Sequence, residues 1–359
     1  MPVPLFDTSS PLRPLREQLR GAIERVLDRE RYILGPEVSA FEQEFAAYCG
    51  TDHAVGVANG TDAITIALRA MGVGAGDEVV VPSFTFYASV EAIAPTGATP
   101  VFCDIDVHTY CVTADTVRAA LTPRTKAVIA VHLFGNVAPV REIAALGVPV
   151  LEDAAQAAGS RSADGRPGAL GIAGTFSFYP SKNLACFGDG GAIVTSDPQL
   201  AETARVLRFH GSRDKVGYEA LGYNSRLDEL QAAVLRVQLP HLEEWAHGRH
   251  EAERHYRDAG LGELAQLPRA GQDATPAWHV YAVADPHVDR LQAALEAGGI
   301  GCKPYYRTPV HLQPPMRAWG EGAELPGTEQ AARAHLAIPM SPVLTRAQAE
   351  EVVAAARRA

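Results

Sequence analysis

Two acidic residues and one lysine stand where buried strands are expected to end, and their types suit acid–base and covalent chemistry. Glu152 and Asp153 close one apolar run, and Lys182 follows the run Thr-Phe-Ser-Phe-Tyr after a turn that contains Pro180. In an open α/β sheet, ligands bind at the carboxyl ends of the strands. Because successive side chains of a strand point to opposite faces, we expect Glu152 and Asp153 to have different roles.

A carboxylate and a lysine that meet at strand ends suit the chemistry of pyridoxal 5'-phosphate (PLP). The lysine forms a Schiff base with the cofactor, and the carboxylate keeps the pyridine nitrogen protonated so that the ring accepts electrons. Taken singly, such an aspartate is more often a cap and such a lysine is more often surface. The two together, spaced as Asp153 and Lys182 are, carry the prediction of a PLP site.

An anion site is predicted at Asn59-Gly60-Thr61, which lies between the apolar run Ala-Val-Gly-Val-Ala and a helical pattern. Free backbone amides and the positive end of the helix dipole meet at such a junction. Thr61 could also be a simple N-cap, and the two roles are compatible.

The apolar spacing indicates which elements must position these residues. Short β-branched runs alternate with helical patterns, which predicts parallel βαβ units with helices on both faces of a sheet. Two helices, separated by Gly35-Pro36, precede these units, and long helices with a joint at Pro240 are expected between residues 197 and 258. The predicted strands are 54–57, 78–81, 100–104, 127–131, 148–151, 175–178 and 192–195, and helical patterns between them include 61–71, 84–94 and 114–121.

These patterns predict an α/β protein with a three-layer α/β/α large domain, built on a mostly parallel sheet, and a smaller C-terminal α+β domain. We place the N-terminal helices and the large domain in residues 1–245 and the small domain in residues 246–359. A length of 359 residues agrees with two domains.

Composition excludes several classes of protein. An apolar content of 47 % argues against a disordered chain, and 42 acidic against 32 basic residues argue against a general nucleic-acid binder. Neither a transmembrane run nor a signal peptide is recognisable. Five scattered cysteines argue against a disulfide framework, and His250–His255 is one residue too long for a zinc HExxH helix. We therefore expect a cytoplasmic protein without a metal or a membrane partner.

Six blocks, in order along the chain, resemble the PLP-dependent sugar aminotransferases of the DegT/StrS type, within the aspartate-aminotransferase fold (fold type I). The resemblance covers nearly the whole chain. The blocks are residues 59–63, 81–86, 152–156, 177–183, 188–191 and 222–233.

The resemblance implies roles around the cofactor ring. Lys182 would form the Schiff base and move the proton between substrate and cofactor, and Asp153 would pair with the pyridinium nitrogen. Gln156 would hydrogen-bond the phenolic oxygen of the ring. Phe86 would stack on the ring face, although an aromatic residue at such a junction is more often part of a core.

The resemblance also implies how the phosphate is held and that two subunits share their sites. Asn224 would reach the phosphate of the neighbouring subunit of a homodimer, and Arg226 would lie beside it. Within the subunit, the implied phosphate residues are Gly60, Thr61, Asp62 and Ser177.

Residues 303–313 resemble the substrate-side loop of the family, with Arg307 in place of a usual proline. The alternative is a proline-rich surface loop with an exposed arginine. The candidate substrate contacts are Tyr305, Tyr306, Arg307, His311 and Arg226.

The family's activity implies transfer of an amino group from glutamate or glutamine to a keto-sugar, here a nucleotide-linked 3-keto-deoxysugar. Amination at C4, or of a cyclitol ketone, remains open. Dehydratases of the family replace the lysine by histidine, so Lys182 favours amino transfer. A dehydratase and a PLP-binding regulator without catalytic activity are the remaining alternatives.

Overall fold

The computed structural model describes residues 3–359, so Met1 and Pro2 of the predicted large domain lie outside it. The strands are β1 His53–Val57, β2 Glu78–Pro82, β3 Thr99–Cys103, β4 Thr125–Val131, β5 Val150–Asp153, β6 Arg161–Ser162, β7 Ala173–Ser177, β8 Gly191–Thr195, β9 Ala274–Thr275, β10 Tyr281–Ala284 and β11 His335–Ile338. The α-helices are α1 Arg16–Arg29, α2 Pro36–Cys49, α3 Gly60–Ala70, α4 Ala88–Glu91, α5 Ala114–Ala120, α6 Val140–Ala144, α7 Pro198–Arg208, α8 Glu229–Gln238, α9 Leu242–Asp258, α10 Val288–Ala297, α11 Arg317–Gly320, α12 Pro326–Ala334 and α13 Arg346–Ala356.

Each of the seven predicted strand runs forms a strand of one sheet, in the order β1-β8-β7-β5-β4-β2-β3. Strand β8 runs antiparallel to β1 and β7, and the other neighbours are parallel. Strands such as β4 are buried on both faces, which is why their sequences read as continuous apolar runs. The predicted α/β fold class is confirmed. The carboxyl ends of β1, β2, β4, β5 and β7 therefore lie at one edge of the sheet.

The helical predictions need two corrections. The pattern over 84–94 yields only α4 and a short 3₁₀ turn, because Pro95 lacks an amide proton and the chain leaves β2 as a loop. The region 197–258 is interrupted between α7 and α8. There Gly211, with φ +75°, and Gly222 approach each other so closely that neither has room for a side chain, and the chain doubles back as a loop.

Two groups of buried side chains lie around the large sheet and around the antiparallel pair β10 and β11. Helix α9 connects the two regions, since Leu242 packs in a further buried group that includes residues of β7 and β8, and Tyr256 packs in the group around β10 and β11. The N-terminal Val3 also packs in the second group and pairs with Ile300. The proposed domain division after residue 245 falls inside α9 and stays a prediction.

Candidate active site

A cavity of about 440 Å³ opens at the carboxyl edge of the large sheet. It is bordered by residues that follow β1 and β2 and by the last residues of β4, β5 and β7, as expected for a ligand site in an open α/β sheet. Of the predicted site residues, the cavity is lined by Gly60, Thr61, Phe86, Asp153, Gln156, Ser177, Lys182, Tyr305 and Tyr306.

Asp153 and Glu152 point to opposite faces of β5, as the strand alternation predicts. Asp153 is 6 % exposed and lines the cavity, where its carboxylate accepts hydrogen bonds from Ser89 Oγ (2.7 Å) and the amide of Ala155 (3.1 Å). Glu152 is fully buried and pairs with His132 at 2.8 Å. Glu152 therefore organises the interior, and Asp153 is the carboxylate available to a ligand.

Lys182 belongs to the turn that follows β7 and faces the same cavity as Asp153. Burial lowers the pKa of its amine to about 8, while the carboxylate of Asp153 acts in the opposite direction. The half-buried amine and the buried carboxylate therefore line one cavity. A desolvated lysine beside a buried carboxylate is the arrangement that covalent carbonyl chemistry requires.

The start of α3 forms the opposite end of the cavity. Asn59 caps the helix by accepting a hydrogen bond from the amide of Asp62 at 2.8 Å, which leaves the amides of Gly60 and Thr61 without helical partners. A Cβ built on Gly60 would lie 2.8 Å from the Cβ of Ser177, so the start of α3 packs directly against the end of β7 at this end of the cavity. This end is suited to an anion.

We expect Gly60→Ala to raise the dissociation constant for PLP by about tenfold. The added methyl group would crowd Ser177, and overpacking of this kind costs about 1–3 kcal/mol. Gly74→Ala is the matched control, since a Cβ there would meet no atom within 4 Å. Fluorescence titration of apoprotein with PLP measures both constants. Equal affinities for the two variants would contradict a binding site at this end of the cavity.

Gln156 and Phe86 line the cavity in different ways. The Gln156 side chain accepts a hydrogen bond from the amide of Phe134 (2.6 Å) and donates one to the hydroxyl of Tyr306 (3.3 Å), so it is held in place. Phe86 is 59 % exposed, whereas Phe84 is fully buried. The alternative that Phe86 belongs to a core is therefore wrong, and its ring is free to contact a ligand.

Several predicted residues do not line this cavity. Asp62 lies in the first turn of α3, and Asn224 is exposed beside Arg226, which donates a hydrogen bond to it.

Two of the predicted substrate contacts also lie outside the cavity. The Arg307 guanidinium donates a hydrogen bond to Asp289 at 2.7 Å, and the buried His311 ring is hydrogen-bonded to Ser83 Oγ at 2.6 Å. The geometry thus gives no support to Arg307 or His311 as substrate contacts within one chain.

The cavity also contains residues that the sequence reasoning missed. Ser89 orients Asp153, and Lys303 supplies a cation at the wall formed by Tyr305. His279 stacks on Phe6 with ring centroids 5.6 Å apart, and burial lowers its pKa well below the usual value. Of these residues, only Lys303 could have been identified from the sequence, because it begins the segment that resembles the family's substrate-side loop.

The family model described as the DegT/DnrJ/EryC1/StrS aminotransferase family matches residues 14–357. The chain belongs to this family. The predicted family, fold type and transaminase class are thereby confirmed, and PLP is the cofactor that family membership implies. Residues 3–359 contain no helix with the length and apolarity needed to span a bilayer, and no described cluster of side chains is suited to a metal ion.

Relatives across the family resemble the chain along its whole length. The dTDP-3-amino-3,4,6-trideoxy-alpha-D-glucose transaminase of Streptomyces venezuelae is 48 % identical over 365 residues, covering 99 % of this chain and 95 % of that protein. The UDP-N-acetyl-3-dehydro-alpha-D-glucosamine 3-aminotransferase of Acidithiobacillus ferrooxidans is 42 % identical over 360 residues, covering 99 % and 97 %. A crystal structure of DesV from S. venezuelae, in complex with a ketimine intermediate, superposes with a TM-score of 0.95 at 46 % identity and covers 99 % and 98 % of the two chains.

Proposed function

We propose that this family member is a PLP-dependent transaminase that moves an amino group from glutamate or glutamine to C3 of a nucleotide-linked keto-deoxysugar. The proposal is supported above all by the observation that Lys182 and Asp153 line one cavity whose other end, at the start of α3, is suited to an anion. The names of two relatives favour C3, since one names a 3-amino sugar and the other names a 3-dehydro sugar and a 3-aminotransferase. Their different nucleotides, dTDP and UDP, leave the nucleotide open.

The described residues fit PLP. The free amides at the start of α3 would hold the phosphate, and Gly60, which packs directly against Ser177, keeps a side chain out of this end of the cavity. Asp153 would receive the pyridine nitrogen, with Ser89 fixing the carboxylate. Gln156 would contact the ring oxygen and Phe86 the ring face. When bound, PLP supplies an electron sink that stabilises charge on the substrate carbon.

Lys182 would bind the cofactor covalently and, once released, move the proton at the reacting carbon in both half-reactions. Its pKa of about 8 suits this exchange near neutral pH, because an acid–base catalyst works best when its pKa is close to the working pH. Asp153 would lie beside the ring nitrogen and keep that nitrogen protonated. These assignments give Lys182 and Asp153 distinct tasks at the cofactor ring.

The rate of PLP capture by the apoprotein should rise with pH and level off above about 8. The amine attacks an aldehyde only when neutral, and at pH 6 roughly one amine in a hundred is neutral if the pKa is 8. In Asp153→Asn the midpoint should move to lower pH, because the carboxylate raises the lysine pKa. Stopped-flow absorbance measures both profiles, and a midpoint near the ordinary lysine value of about 10.4 would contradict the burial effect.

A homodimer with shared active sites is part of the proposal, since Asn224 and Arg226 do not reach the cavity of their own chain. Mixing Lys182→Ala with Asn224→Ala subunits tests it. A mixed dimer would have one site with both residues intact, so an equal mixture should recover about a quarter of wild-type activity if both parent dimers are weak. Activity equal to the mean of the two parent proteins would show that Asn224 serves its own subunit.

The overall function is tested by screening TDP-, UDP- and GDP-linked 3-keto and 4-keto sugars with glutamate and glutamine. We expect amino-sugar formation that depends on the donor and is fastest with a 3-keto substrate. Product formation without a donor would identify a dehydratase, and PLP binding without turnover of any substrate would favour a regulator. A cytoplasmic location is also proposed and agrees with the five unpaired cysteines.

A further inference from the structure

A second cavity, of about 780 Å³, adjoins the first and shares Phe6, Ser181 and Lys182 with it. Its walls come from the N-terminal segment, α1, α9 and the residues around Lys182. The N-terminal segment is held there because Val3 and Leu5 accept hydrogen bonds from the amides of Gly301 (2.8 Å) and Met340 (3.3 Å). Lys182 thus stands between two spaces, of which the proposed function assigns only one to the cofactor.

Arg249, on α9, lines this second cavity and is 8 % exposed. Its Nη1 donates to the carbonyl of Trp278 at 3.0 Å, and its Nε is buried without a hydrogen-bond partner. Within residues 3–359 no carboxylate lies within ion-pair distance of it. Burial lowers the pKa of the guanidinium to about 10, so the group remains charged at neutral pH. A buried cation with an unused donor is costly unless an anion from outside the chain pairs with it.

Five of the six charged residues that line this cavity are cationic, and the sixth is Asp7. His279 lies close enough to Lys182 and Arg249 that both, together with burial, lower its pKa. Arg13, Arg16 and Arg20 also line the cavity, but they are exposed to solvent. Arg249 is therefore the cation of this cavity that is placed in a desolvated setting near Lys182, where a guanidinium pairs most strongly with a carboxylate.

The two half-reactions place different demands on this region. In the donor half-reaction the amino acid gives up its amino nitrogen to the bound cofactor and its α-proton to Lys182. It leaves as a 2-oxo acid whose new carbonyl oxygen comes from water. The reacting carbon of the donor carries a carboxylate, whereas the reacting carbon of the sugar lies in a ring without one. A carboxylate site next to Lys182 would therefore serve the donor alone.

We propose that Arg249 binds the α-carboxylate of the amino-acid donor beside Lys182. This inference rests on the proposed function, because it assumes a transaminase with an amino-acid donor. It assigns the second cavity to the donor and explains the unpaired guanidinium.

The test compares the two half-reactions by rapid-mixing absorbance in PLP-loaded Arg249→Gln, Arg249→Lys and Arg254→Gln enzymes. Arg254 is the matched control, since it is an exposed arginine of the same helix. With glutamate, we expect kcat/KM of Arg249→Gln to fall about 10- to 100-fold, the range for loss of a hydrogen-bonded charge pair. With the nucleotide-linked amino sugar, the half-reaction should change by less than about threefold if Arg249 does not contact the sugar.

Binding of α-methylglutamate, which has the donor's carboxylates but no α-hydrogen, gives a second readout that needs no turnover. Its dissociation constant should rise in Arg249→Gln in parallel with the kinetic loss and remain unchanged in Arg254→Gln. Arg249→Lys keeps the charge and should have an intermediate defect, which covers the case in which Arg249→Gln does not fold.

An unchanged glutamate half-reaction, or an equal loss in both half-reactions, would overturn the assignment of Arg249. If the wild-type enzyme carried out neither half-reaction, the proposed function itself would fail, and that outcome is recognisable without any variant.

Discussion

Replacing Lys182 by alanine is expected to lower transaminase turnover by about 10⁴-fold, the upper range for loss of a general acid–base group, because the same amine also binds the cofactor. The protein should remain folded, since Lys182 lies outside the helices and strands and its contribution to the turn is a backbone hydrogen bond to Tyr179, which alanine also makes. Turnover at saturating donor and keto-sugar, together with a thermal melt, measures both effects.

Lys126→Ala is the matched control for this experiment, because Lys126 is exposed on β4 and lines neither of the two cavities around Lys182. It should leave turnover unchanged. A Lys182→Ala enzyme that retained more than about a tenth of wild-type turnover would contradict the role of this lysine in moving the proton.

Asp153→Asn is expected to reduce turnover on the order of 10³-fold, as when a preorganised electrostatic partner is removed from a transition state. Asparagine has nearly the same shape and can still accept the hydrogen bond from Ser89, so the fold and the cofactor contacts should persist. The neutral amide, however, cannot hold a proton on the pyridine nitrogen, and the electron sink is weakened.

The loss in Asp153→Asn should appear in both half-reactions, because each passes through charge on the reacting carbon. Asp52→Asn provides the control with an exposed aspartate. Loss of PLP affinity with normal turnover at saturating cofactor would show that Asp153 only anchors the ring, and normal turnover and affinity would remove it from the site.

Much of the fold could be predicted because the central strands are buried on both faces and their sequences are therefore continuous apolar runs. Asp153 and Lys182 could be predicted to lie together for the same reason, since each follows or ends such a strand, whereas Ser177 was implied only by the family resemblance. Parallel topology brings these ends to one edge, whatever the sequence distance between them.

Other features depend on contacts between distant segments that leave no local pattern. Arg249 is desolvated only because α9 packs beside Trp278, and His311 is withdrawn from the cavity by Ser83, 228 positions earlier. Arg307 is turned away by Asp289 on α10. The sequence showed the residue types in these cases, but only tertiary packing decides which of them face a ligand.

The central claim is that the amine of Lys182 holds PLP covalently in the cavity that Asp153 lines. Borohydride reduction of the PLP-loaded protein, followed by peptide mass mapping, tests it most directly, since the chain has only Lys126, Lys215 and Lys303 as other lysines. The structure predicts one reduced pyridoxyl group per chain, on Lys182. A label on any other lysine, or a protein that binds PLP without any label, would contradict it.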